Sequence, residues 1–172
     1  MNSPRSLPLI AALLCACSPA LDWRLVAPPG LGVQAVFPCR PASLTREVPL
    51  PGGRVQMVLH ACSAAGSTFA LAALTVSDVA DVTAAIDALR DAASHNLGAE
   101  PGRVQSFAVP GMTPNAHAGR GAVAGRRPDG SAVVEHLLLF AHGARVYQAS
   151  VVGDVPADAD VAAFFDGLKV AP

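Results

Sequence analysis

Apolar and polar residues alternate from Arg54 to Cys62, with Val55, Met57, Leu59 and Ala61 on one side and Arg54, Gln56 and His60 on the other. This period of two predicts a half-buried β-strand, because successive side chains of an extended chain point to opposite faces. Val33 to Phe37 predicts an earlier strand ended by Pro38. Arg46 to Leu50 predicts a short edge strand, since Pro49 removes a ladder donor, and Pro51-Gly52-Gly53 supplies the turn. Ser67 to Val76 alternates less and is expected at a more central position, entered through a hairpin at Gly66.

The period then changes. Val82, Ile86, Leu89, Ala93 and Leu97 recur at steps of three and four, while Asp87, Arg90 and Asp91 lie elsewhere, the pattern of an amphipathic helix. Asp78 or Asp81 is the expected cap, and Asn96-Leu97-Gly98 the stop. Four strand-like runs follow at 103–109, 119–126, 132–141 and 145–152, separated by turns such as Pro128-Asp129-Gly130 and His142-Gly143. Val161, Phe164, Phe165 and Leu168 then mark a short terminal helix with Asp158 or Asp160 as the expected cap. The sum is an α+β domain, a largely antiparallel sheet with helices packed on it.

The N-terminal end follows a different logic. Arg5, the apolar run Leu7 to Leu14 and the small residues after it have the layout of a signal peptide, expected over residues 1–16 and absent from the mature protein. Pro8 and the short apolar run argue against a membrane span, which needs ~20 apolar residues. Residues 17–31 carry Pro19, Pro28, Pro29 and Gly30 and read as a tether, with Trp23 expected to dock on the domain. A single domain is expected over residues 32–172, within the usual size for one core.

Leu14-Cys15-Ala16-Cys17 resembles the lipobox of bacterial lipoproteins. The resemblance implies a thioether-linked lipid on Cys17 and a location in the bacterial envelope. With Ser18 rather than aspartate following, the general sorting rule implies the outer membrane, facing the periplasm. Val36-Phe37-Pro38, Arg127 to Gly130, Arg145 to Gln148 and Phe164 to Lys169 resemble small bacterial lipoproteins whose fold is similar to the PsbP/Mog1-like α-β-α sandwich. That resemblance implies an accessory or assembly factor that binds other proteins; it transfers no functional residue.

Export also bears on the cysteines. Cys39 and Cys62 lie beyond the signal region, and an oxidising compartment favours their pairing. The bridge would stabilise by ~3 kcal/mol in the chain-entropy model. The competing use is a copper(I) or zinc site from Cys39, His60 and Cys62, since residues 60 and 62 share a strand face. It requires free thiolates.

The formal charge is −1, with Lys169 the only lysine among eleven arginines. No basic excess neutralises phosphates, so nucleic acid is not an expected partner. No Gly-x-Ser-x-Gly elbow is present, and Ser63, Ser67 and Ser131 read as turn residues. Glu135-His136 lies on an expected strand, without the helical His spacing of zinc peptidases, and Gly119-Arg120-Gly121 lacks the spacing of a phosphate cradle. His95, His117, His136 and His142 are scattered, and Arg126, Arg127 and Asp129 form a charged hairpin tip. No cofactor and no catalytic residue are expected. Two functions lead: a non-enzymatic envelope lipoprotein that binds a protein partner, and a periplasmic small-ligand or metal-binding protein using a concave sheet face with Arg54, Gln56 and His60; an enzyme whose catalytic groups come together from distant positions is the third.

Overall fold

Two long apolar strand cores and one amphipathic helix organise the chain. The structure is a computed structural model and describes residues 21–171. The expected signal peptide, Cys17 and the first part of the expected tether lie outside the described residues. The strands are β1 (Arg24–Val26), β2 (Val33–Phe37), β3 (Ala42–Leu50), β4 (Gly53–Ala64), β5 (Ser67–Thr75), β6 (Gly119–Arg126), β7 (Ala132–His142), β8 (Arg145–Gly153) and β9 (Lys169–Val170). The helices are α1 (Val82–Asn96) and α2 (Asp158–Asp166).

Six strands form one antiparallel sheet in the order β3-β4-β5-β8-β7-β6; β1, β2 and β9 form a second, also antiparallel. Strands β5, β7 and β8 lie inside the large sheet and are apolar on both faces. Phe69, Leu71, Phe140, Tyr147 and Val151 point one way, and Leu74, Leu137, Leu139 and Val146 the other. Each face has its own cover. The apolar stripe of α1, Val82, Ala85, Ile86, Leu89 and Ala93, closes one. The small sheet and α2 close the other, where Phe164 meets Phe37 at 5.1 Å and Phe69 at 5.5 Å between ring centroids, edge to face. The result is a largely antiparallel α+β fold with helices on both faces of the main sheet.

Local chemistry explains the boundaries. The β4–β5 hairpin turns on Ala65 and Gly66, both left-handed at φ 49° and 74°, the two-residue turn that suits the twist of paired strands. Asp78 accepts from the Ala80 amide and starts the single 3-10 turn Val79–Asp81 that leads into α1. Asp81 takes the N-cap position of α1 without a side-chain bond. Neither Asp158 nor Asp160 caps α2: Ala157 precedes it, and both aspartates sit in the first turn, favourably placed for the helix dipole.

Three expectations need correction. First, residues 22–31 do not behave as a tether. β1 pairs with β2, the Asp22 amide donates to the Pro38 carbonyl, and Leu31 is fully buried. Trp23 packs on the core with its ring 5.9 Å from Phe69, docked as expected. Second, residues 103–109 do not form a strand. Only Gln105 pairs, exchanging two backbone hydrogen bonds with Arg120 at 2.8 and 2.9 Å. The close approach depends on glycine: a Cβ at Gly119 would lie 2.4 Å from the Gln105 carbonyl oxygen. Third, the edge strand β3 is nine residues long rather than five, because Ala42 to Leu50 pair continuously with Ala61 to Gly53.

Candidate functional site

Cys39 and Cys62 form a disulfide that ties the chain just after β2 to β4, joining the small sheet to the large one. With both sulfurs bonded to each other, the thiolate condition of the Cys39–His60–Cys62 metal site is not met. His60 is also engaged. It is 5 % exposed, and its Nε2 lies 3.1 Å from the Pro29 carbonyl. Among the described residues, no three His, Cys, Asp or Glu side chains gather where they could hold an ion.

The concave face expected from Arg54, Gln56 and His60 does not form. Arg54 pairs at the surface with Glu47 at 3.2 Å, whereas His60 is covered by the segment carrying Pro29. Of the three serines expected in turns, Ser131 sits at one and donates to Asp129 at 2.7 Å, whereas Ser63 lies in β4, bonded at 2.9 Å to its cross-strand partner Thr68, and Ser67 opens β5. Those Ser131 bonds hold the Asp129 carboxyl below its ordinary value. At the same tip, Arg126 donates to the Gly130 carbonyl and Arg127 pairs with exposed Asp154. Glu135 and His136 are sent to opposite faces by the strand period.

One cluster was not anticipated. His117 Nδ1 lies 2.8 and 2.9 Å from the two Asp87 carboxylate oxygens, and Arg90 pairs with Asp87 at 2.8 Å. Burial raises the Asp87 carboxyl, but its bonds to His117 and Arg90 outweigh that and bring it below the ordinary value. The cluster fastens the segment before β6 to α1.

The more informative feature is a groove of about 440 Å³ between α1 and the large sheet, reaching from β3 inwards. Its volume falls in the range of small-molecule sites. It exists because several residues facing it are small, Ala70 and Ala72 on β5 and Ala88, Ala92 and Ala93 on α1, among larger neighbours such as Met57, Leu59 and Leu89. Its inner end carries polar groups from adjacent strands, Glu135 on β7 with Gln148 and Ser150 on β8. Glu135 is 8 % exposed and Ser150 7 %. Burial pushes the Glu135 carboxyl up, and the bond from Ser150 opposes it in part.

Sequence reasoning missed this site, although a signal was present. Glu135 is in phase with Leu137, Leu139 and Ala141, the apolar face that meets α1, so an acid at that position interrupts a buried row. No histidine lines the groove, so Ser150 has no imidazole base beside it. What the arrangement offers is recognition: one carboxyl, one amide and one hydroxyl at the end of an apolar slot.

No protein-family model matches the chain, and no curated protein does. The fold is similar to that of a protein from Bacteroides thetaiotaomicron VPI-5482 solved at 1.50 Å, with a TM-score of 0.52 and 11 % identity. The match covers 86 % of this chain and 48 % of that one, so this chain spans about half the length of its structural neighbour. The likeness is one of fold.

Proposed function

We propose that this chain is a non-enzymatic lipoprotein of the bacterial envelope, lipidated on Cys17, facing the periplasm from the outer membrane, with a PsbP/Mog1-like domain that binds a protein partner. The observation that carries the reading is the free edge of β3. The opposite edge of the sheet, β6, is partly closed by Gln105, whereas among the described residues β3 pairs only with β4. From Ala42 to Glu47 its residues are exposed. Open backbone donors and acceptors along such an edge are a template for an added strand, and proteins that do not use an edge tend to shorten or cover it.

A photo-crosslinking side chain placed at Thr45 in cells tests this reading, with one at Val155, which is 90 % exposed and remote in sequence, as control. A discrete adduct at Thr45 and none at Val155 is expected. Adducts at neither position, or equally at both, would remove the partner-binding reading. The anchor is tested by intact mass before and after alkylation: an acylated mass on the fragment carrying Cys17 is expected, and an unlipidated mass overturns it.

A second reading, binding of a small periplasmic ligand, is favoured by one observation, the groove ending at Glu135. Its metal version lacks support while the two sulfurs are joined.

A further inference from the structure

The groove contains an imbalance that the fold does not resolve. Glu135 is more than nine-tenths buried, it faces the groove, and among the described residues it has no ion-pair partner. The other charged residues of the lining, Arg46 and Glu47, both belong to β3, at the far edge of the sheet with β4, β5 and β8 between them and β7. The helix side contributes alanines, Leu89 and the neutral amide of Asn96. A buried carboxyl with no cation must either keep its proton or accept a positive charge from outside. Gln148 and Ser150 beside it add acceptor oxygens suited to the remaining N–H groups of a bound donor.

Resting on the small-ligand reading above, we infer that the groove binds a small organic cation, a primary ammonium on a short apolar body, with the ammonium against Glu135 and the body along the alanines of β5 and α1. The geometry suits that division. Glu135, Gln148 and Ser150 are gathered at the inner end, away from Arg46 and Glu47 at the β3 end, and the slot leading to them is walled in part by Ala70, Ala72, Ala88 and Ala92, which leave space instead of filling it. Burial of the apolar body supplies affinity, and the carboxylate supplies selection by charge. An anion of the same shape meets a like charge there, and a neutral alcohol finds only hydrogen bonds.

The test holds the apolar body constant and changes its head. The full chain, with its alanine methyl groups isotopically labelled, is titrated with hexylammonium, 1-hexanol and hexanoate at pH 8, and the methyl signals of Ala70, Ala72, Ala88 and Ala92 are followed. Hexylammonium is expected to bind about tenfold tighter than hexanol, with hexanoate weakest. Glu135→Gln, nearly equal in shape, is expected to reduce hexylammonium to the level of hexanol. The comparison of the three heads on the unaltered protein stands even if that variant fails to fold. Equal affinity for all three heads overturns the cation assignment and leaves the small-ligand reading in place. No shift of these methyl signals by any of the three overturns both.

Discussion

Tyr147 on β8 donates its hydroxyl proton to the Leu31 carbonyl, 2.9 Å away and 116 residues earlier in the chain. Arg145 reaches the same oxygen at 3.0 Å, and the Tyr147 ring stacks on Phe140 with centroids 4.7 Å apart. The segment between β1 and β2 is therefore held to the centre of the large sheet by two donors on one acceptor. Replacing Tyr147 by Phe keeps the stack and leaves Leu31 with Arg145. The expected loss is about 1 kcal/mol, the usual net value of one such bond, measured by urea unfolding.

A larger loss is expected at Phe164. It is fully buried and touches rings from both sheets, so Phe164→Ala opens a cavity where the small sheet meets the large one. Unfolding should show a cost of about 3–5 kcal/mol, the range for truncating a core aromatic. A loss below about 1 kcal/mol would mean that α2 is not part of the cooperative core.

Reduction of Cys39–Cys62 releases a loop between residues 23 apart in sequence. Equilibrium unfolding with and without a reductant should differ by about 3 kcal/mol, and Cys39→Ser/Cys62→Ser should match the reduced protein.

The β4–β5 hairpin is expected to improve on mutation. Ala65 has φ 49°, a conformation that asparagine tolerates better than alanine, and Gly66 already follows it. Ala65→Asn should stabilise the protein by about 0.5–1 kcal/mol, seen as a higher urea midpoint with an unchanged slope.

Glu135 gives the protein a pH signature of its own. Burial raises its carboxyl in the folded state, so between its ordinary value of 4.5 and the raised one the folded protein holds a proton that the unfolded chain has released. This contribution to stability is fully present below pH 4.5 and is lost as pH rises through the folded value. Glu135→Gln should remove that slope and melt higher than the parent at pH 8. Comparison of melting temperatures at pH 5 and pH 8 for both proteins decides it. A parent whose Glu135-dependent stability rises with pH would contradict the buried setting.

Much of this architecture was legible from period alone. β4, β6, β7 and β8 sit close to where the alternation placed them, and α1 buries the stripe Val82, Ile86, Leu89 and Ala93 that its spacing marked. What escaped was short or depended on distant partners. β1 and β9 are three and two residues long, too brief for periodicity, and exist because β2 lies between them. Residues 103–109 carry an extended pattern but pair with β6 at Gln105 alone. The alternation placed Arg54 and His60 on one face correctly, yet it could not indicate that the chain near Pro29 would cover His60 and leave Arg54 outside. The groove was hidden for a different reason: alanine fits either face of any element, so a slot made by omitting side chains leaves almost no trace in a hydropathy pattern.

The pairing of β1 with β2 also decides how the domain takes mechanical load. A pull on the chain ahead of Asp22 enters through the bond from the Asp22 amide to Pro38 and the short β1–β2 ladder. The next residue after Pro38 is Cys39, joined covalently to Cys62 on β4. Tension that separates β1 meets the Leu31 contacts and β2 next, and whatever passes them runs along a covalent path into the second strand of the main sheet, bypassing the loop between Cys39 and Cys62. Under load the first strand acts as a sacrificial link, and the disulfide is the stop behind it.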